Sequence, residues 1–280
     1  MIKMLTKSSH LIYAGQRIDI IHSIYRTVGD LKMFRHIGFR DLITTLIFPF
    51  TPTSPESIND FFTWMCDVDV KRYAKYSLRL HPIIGIPPFR NISSKVVESA
   101  VNYIEDYIKT KKIIGIGEIG MGFGTKEEYL QMKRQLALAS KYDMPVVVEA
   151  PSVNKVALTS IILKELAKAK VTSAIINHCD LEIVELVLRT HEPNIKVGIT
   201  VGQQATSPEE ALNIFKSYSR SDRIVLNSSL GYKDSSLFGL ANTIELFEEE
   251  NIDEEFLERM YYSNYLEVFP SLSTRIKLMS

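Results

Sequence analysis

The chain has 280 residues, 45% of them hydrophobic and 24% charged, enough for one large α/β domain and too apolar for a disordered polypeptide. Its 33 basic and 33 acidic residues cancel, which excludes the strong electrostatic footprint of a tight, salt-dependent nucleic-acid binder. Without a run of about 18 apolar residues, without a signal-peptide pattern, and with only Cys66 and Cys179, the sequence predicts a cytoplasmic protein with packed thiols and no membrane partner.

In chain order, eight short β-branched runs alternate with helical patterns at intervals of roughly 30 residues, the spacing of βα units. The predicted strands are 17–22, 42–48, 83–86, 113–118, 145–149, 173–178, 196–201 and 224–228. Most are near-continuously apolar, as strands covered on both faces are. Eight parallel strands imply a closed (β/α)8 TIM barrel, a single domain over 1–280 with 1–16 as an N-terminal extension. Between the strands, 125–142 and 208–218 read as amphipathic outer helices, the second with Ser207 placed to cap and Pro208 in the first turn. Thr51-Pro52-Thr53-Ser54-Pro55 falls in a long loop after the second strand, and Pro87-Pro88 breaks the pattern after the third. Phe61, Phe62 and Trp64 read as packing residues, His81 as structural, His36 and His191 as surface residues, and the acidic run 248–255 as a solvated helix end.

Barrel chemistry sits where strands end at the C-terminal face, so the polar residue closing each apolar run carries information. The first run ends at His22, the fourth at Glu118, the fifth at Glu149, the sixth at His178, and the eighth at Asn227-Ser228-Ser229. The fourth, Ile113-Ile114-Gly115-Ile116-Gly117-Glu118-Ile119-Gly120, sets one carboxylate among glycines that leave room for ligand approach. Imidazole and carboxylate suit Zn, Mn, Fe or Ni, and four donors from separate strands can surround one divalent cation. Taken singly, each residue is as well explained by a hydrogen-bonded strand end.

The segments Gly115-Ile116-Gly117-Glu118-Ile119-Gly120, Arg134-Gln135-Leu136-Ala137-Leu138-Ala139, Met144-Pro145-Val146-Val147-Val148, Ile175-Ile176-Asn177-His178 and Ser263-Asn264-Tyr265-Leu266-Glu267 resemble the TatD-related metal-dependent hydrolases of the amidohydrolase superfamily, in particular their archaeal branch. That resemblance implies a TIM barrel and metal-assisted hydrolysis. Carried over one at a time, the family's metal positions match Glu118 and His178. The first-strand HxH pair falls on Ile20 and His22, or in a second alignment draws on His10. The fifth-strand histidine falls on Glu149 and the eighth-strand aspartate on Gly231, with Asp234 or Asp180 as the acids that could replace it.

Two functions follow from this pattern. In the first, His22, Glu118, Glu149 and His178 hold one cation that activates water, Glu118 or Glu149 serves as catalytic base, and Gln203, Gln204 and Asn227 contact a phosphodiester or a small amide or ester substrate. In the second, the barrel has lost turnover and serves as a ligand-binding or assembly subunit. Oligomeric state is not readable from the sequence.

Overall fold

The computed structural model describes residues 17–88, 92–190, 192–202, 205–231 and 236–279. Eight strands, β1 (Ile18–Ile21), β2 (Asp41–Thr44), β3 (Arg79–Ile84), β4 (Gly115–Gly120), β5 (Val146–Glu149), β6 (Ala174–Asn177), β7 (Ile195–Thr200) and β8 (Ile224–Asn227), pair in parallel in the order of the sequence. The ring closes through a parallel bridge between Ile21 and Leu230, where the His22 amide donates to the Leu230 carbonyl at 2.9 Å. Beside that bridge the Asp19 carboxylate accepts from the Ser228 amide at 2.7 Å and from its hydroxyl at 2.6 Å. A side chain therefore supplies part of the pairing at the seam.

The outer layer runs α1 (Val28–His36), α2 (Pro55–Thr63), α3 (Val70–Ala74), α4 (Ser94–Lys109), α5 (Lys126–Tyr142), α6 (Lys155–Ala169), α7 (Leu181–Leu188), α8 (Pro208–Tyr218), α9 (Gly239–Glu249) and α10 (Glu254–Glu258). A π-helical stretch, Trp64–Asp69, joins α2 to α3. Helix starts are set locally: Thr27, Ser54, Thr125 and Ser207 each accept from the amide three residues on, and that residue's side chain reaches back. Pro55 and Pro208 occupy first-turn positions where the missing N–H costs nothing. Among the described residues, no helix is long and apolar enough to cross a membrane.

Strand alternation sorts the core into two layers. Ile21, Leu42, Ile84, Val146, Val148, Ile176, Val197 and Leu226 pack outward against the helices. Ile18, Ile20, Ile43, Ile83, Val147, Ile175 and Val225 fill the barrel interior. The last two helices, α11 (Asn264–Val268) and α12 (Pro270–Met279), close the N-terminal end, with Tyr265, Phe269 and Leu272 joining the inner layer. The opposite, C-terminal end is left as a polar mouth.

Two strands differ from the sequence expectation by four residues at one end, the others by two or fewer. β2 stops at Thr44 rather than 48; the Thr45 amide makes a last bond to the Ile21 carbonyl at 3.0 Å while its hydroxyl lies beside His22. β3 begins at Arg79 rather than 83, because Arg79 and His81 enter the lower barrel to bond Asp41 and so interrupt the apolar run. Cys66 and Cys179 are buried thiols, Phe62 is packed, and Trp64 is half exposed.

Candidate functional site at the barrel mouth

Two residues beyond each interior apolar side chain, the pleat brings the next inward position to the mouth. This layer holds His22, Thr45 and Gly85, each just past the end of its strand, and Glu149, Asn177, Thr200 and Asn227, the last residues of theirs. Glu118 arrives differently. The β4–β5 register slips between Ile116 and Ile119, so Gly117 and Glu118 together oppose Val147, a bulge that re-aims the carboxylate into the barrel. The bulge needs glycine, since a Cβ on Gly117 would lie 2.5 Å from the Val147 carbonyl oxygen.

Buried amides organise the centre. Asn177 Nδ2 donates to Glu118 Oε1 at 2.7 Å, and Asn227 Nδ2 donates to Asn177 Oδ1 at 2.8 Å. The Thr200 hydroxyl lies 3.1 Å from Asn227 Oδ1 and 3.0 Å from His178 Nδ1. The Thr200 hydroxyl thus links Asn227 to His178. His178 follows the inward Asn177 and reaches the same centre through a left-handed backbone, φ 61°, a conformation that strains a non-glycine residue. Its Nε2 is 3.5 Å from Glu118 Oε1.

Across the mouth, His22 Nδ1 is 3.3 Å from the Thr45 carbonyl, so Nδ1–H donates there and Nε2 faces the Ser229 hydroxyl at 3.4 Å. Burial depresses the His22 pKa, opposed by the charge on Glu118 and reinforced by His178 and Arg26. Burial raises the Glu118 carboxyl, but the His178 hydrogen bond, the two imidazoles and the Asn177 amide more than offset it and hold the acid ionised. His22, Glu118 and His178 thus share one electrostatic environment.

Both imidazoles are tied back through Nδ1 and present Nε2, as metal-binding histidines do. Among the described residues, no group of three or more His, Cys, Asp or Glu side chains is placed to hold a metal ion. Glu149 is half-buried and inward on β5, in ladder register with Gly120 and Asn177. Gly231 adjoins the His22 ring so closely that a Cβ there would fall 3.0 Å from Cδ2. The eighth-strand side chain that does meet His22 is Ser229, a hydroxyl.

Asp180 is committed elsewhere, capping α7 through the Ile183 amide and pairing with Lys155. Gln203, Gln204, His10, His191 and Asp234 lie outside the described residues. Asn227 is in the mouth, but its amide bonds Asn177. Reading strand ends selected His178 and passed over Asn177, Thr200 and Thr45; continuing the alternation of Ile43, Ile175 and Gly198 by two residues would have found all three.

The sequence profile of the TatD related DNase family matches residues 60–232. An uncharacterized metal-dependent hydrolase of Methanocaldococcus jannaschii is 27% identical over 246 residues, 87% of this chain and 95% of that protein. Among solved structures, a TatD-like protein from Archaeoglobus fulgidus is similar with a TM-score of 0.74 and 23% identity, covering 90% of this chain and 99% of that one. A β-aspartyl dipeptidase from Fervidobacterium islandicum is similar with a TM-score of 0.64 and 14% identity, covering 91% and 74%. These two likenesses are of fold.

Proposed function

The chain belongs to the TatD-related DNase family, for which a divalent metal and hydrolysis are the implied chemistry, and from that premise we propose that this member binds a small polar ligand in its mouth without the family's metal-activated water. The observation that carries the proposal is the Asn177 amide on Glu118 Oε1 at 2.7 Å, backed by Asn227 and Thr200. One neutral amide donates to the carboxylate there, and Ile20, Glu149 and Gly231 stand where the family's pattern calls for further imidazoles and an aspartate. A carboxylate held ionised between two imidazoles suits a ligand that turns a hydrogen-bond donor or a cationic group towards Glu118.

The presentation of Nε2 by both His22 and His178 favours a second reading. In it, one Zn, Mn, Fe or Ni ion rests on His22, Glu118, Glu149 and His178, and the protein hydrolyses phosphodiesters or small amides, with Gln203 and Gln204 as substrate contacts. Elemental analysis of protein purified without chelator, and again after reconstitution, separates the two. We expect no stoichiometric metal and no turnover of model phosphodiesters or amides. About one equivalent of metal that disappears in the double variant His22→Ala/His178→Ala would overturn the ligand-binding reading and establish the metal centre.

A further inference from the structure

The outer surface carries two faces of opposite charge, on opposite sides of the barrel. Helices α9 and α10 follow β8, whereas α5 and α6 follow β4 and β5. In a closed ring of eight strands taken in sequence order, β4 lies diametrically across from β8. The segment 245–258 holds eight acidic residues and no Lys or Arg. Glu249, Asp253, Glu254 and Glu255 are exposed, and among them Phe256 stands 47% exposed.

The α5–α6 side is the complement. A groove between the two helices has a floor of Ala137, Ser140 and Ala169 over Leu136, with Lys133, Lys141 and Lys168 on its flanks. Glu165 is shared between Lys168 at 2.6 Å and Lys133 at 3.8 Å, and Lys141 pairs with Glu105 at 2.8 Å. The positive charge is therefore reduced but not cancelled, and Lys164 and Lys170 on the same side add to it. Leu130 and Ile161, on the outer faces of α5 and α6, are 44% and 37% exposed.

We propose that the α9–α10 ridge of one copy seats in the α5–α6 groove of another, with Phe256 over the alanine floor and the carboxylates against the lysine flanks. An aromatic ring ringed by carboxylates is best covered by a surface that is apolar in the middle and cationic at the edge. The groove of this same chain has that order of residues. Because the two faces point in opposite directions, the contact is heterologous, and it builds chains or a ring rather than an isologous dimer. With the five-residue α10 carrying the tip of the ridge, the buried area is at the small end of specific interfaces, so association is salt-sensitive, with a dissociation constant of roughly 10–100 μM at low ionic strength.

Sedimentation equilibrium of the full chain at about 30 mM and about 500 mM salt tests this. We expect the average mass to rise with protein concentration at low salt and to return to the monomer at high salt. The variants Glu254→Lys/Glu255→Lys and Lys133→Glu/Lys168→Glu should each remain monomeric, and their equimolar mixture should associate again. Phe256→Ala, at a half-exposed ring, should weaken association about ten-fold with an unchanged circular dichroism spectrum. A monomer at low salt across the concentration range, association that survives both charge reversals, or reversed variants that fail to complement although both are folded would each overturn the proposal. Binding of only an added polyanion to the groove would overturn it too, by assigning that face to another partner.

Discussion

Each end of the barrel buries a carboxylate beside an imidazole, and the two ends treat it differently. At the N-terminal end, Asp41 is held by Arg79 Nε at 2.8 Å and Nη2 at 2.5 Å, and by His81 Nε2 at 2.8 Å. Burial raises the Asp41 carboxyl, but these donors outweigh it and hold the pKa below the usual range. At the mouth, Glu118 has a neutral amide at 2.7 Å and a more distant imidazole at 3.5 Å, both on Oε1. The same pair of side-chain types is thus a clasp at one end, with a permanent guanidinium and short bonds, and a weaker, exchangeable arrangement at the other.

The clasp predicts the largest single effect. Asp41→Asn leaves Arg79 without its bidentate partner and should lower the unfolding free energy by about 3–5 kcal/mol, measured by urea denaturation. A loss under about 1 kcal/mol would remove the distinction between the two ends. Next in size is Gly198→Ala. A Cβ there would sit 2.6 Å from Asn177 Oδ1, so the amide must leave Asn227; about 1–3 kcal/mol is expected. Unchanged stability would mean that the mouth network is slack rather than built.

A third effect belongs to the seam that joins the two ends. Burial raises the Asp19 pKa to about 7, against its hydrogen bonds to Ser228. Between the ordinary carboxylate range and that value the folded state holds a proton that the unfolded state has lost, so stability falls as pH rises through this window. Relative to Asp19→Asn, wild-type protein should lose about 2 kcal/mol between pH 5 and pH 8. Parallel denaturation curves for the two proteins at both pH values would contradict the assignment.

The sequence carried the barrel because apolar runs covered on both faces repeat with βα spacing, and the capping residues Thr125 and Ser207 stand where the helices begin. It also carried His22, Glu118 and His178, which close or nearly close such runs. It did not carry Arg79 and His81 as part of β3, because inward polar residues at a barrel's lower end mimic a loop. Nor did it reveal Asn177, since apolar-run reading stops at the last charged or aromatic residue and treats a neutral amide as filler. The eighth-strand position falls on Gly231 by spacing, and both Gly231 and the Ser229 hydroxyl lie beside the His22 ring. A left-handed residue at 229, φ 43°, is invisible to counting along a strand.

The smallest effect is the sharpest contrast. Glu118→Gln is the mouth's counterpart of Asp41→Asn, an amide in place of a buried carboxylate, yet here it keeps an acceptor for Asn177 and relieves the cost of burying a charge. What it loses is the pairing with His178 at 3.5 Å, longer than a good charge-assisted bond. The two changes nearly cancel, so stability should stay within about 1 kcal/mol of wild type, and a gain is as consistent with a binding site as a small loss. The lowered Glu118 pKa sets the pH dependence. The stabilisation from its pairing is present above the ordinary carboxylate range and disappears as pH falls through the folded value, so any wild-type advantage over Glu118→Gln should shrink on acidification. A loss as large as that of Asp41→Asn, measured in the same urea series, would make Glu118 a second structural clasp. The mouth would then be a closed polar plug, and the ligand-binding proposal would lose its carboxylate.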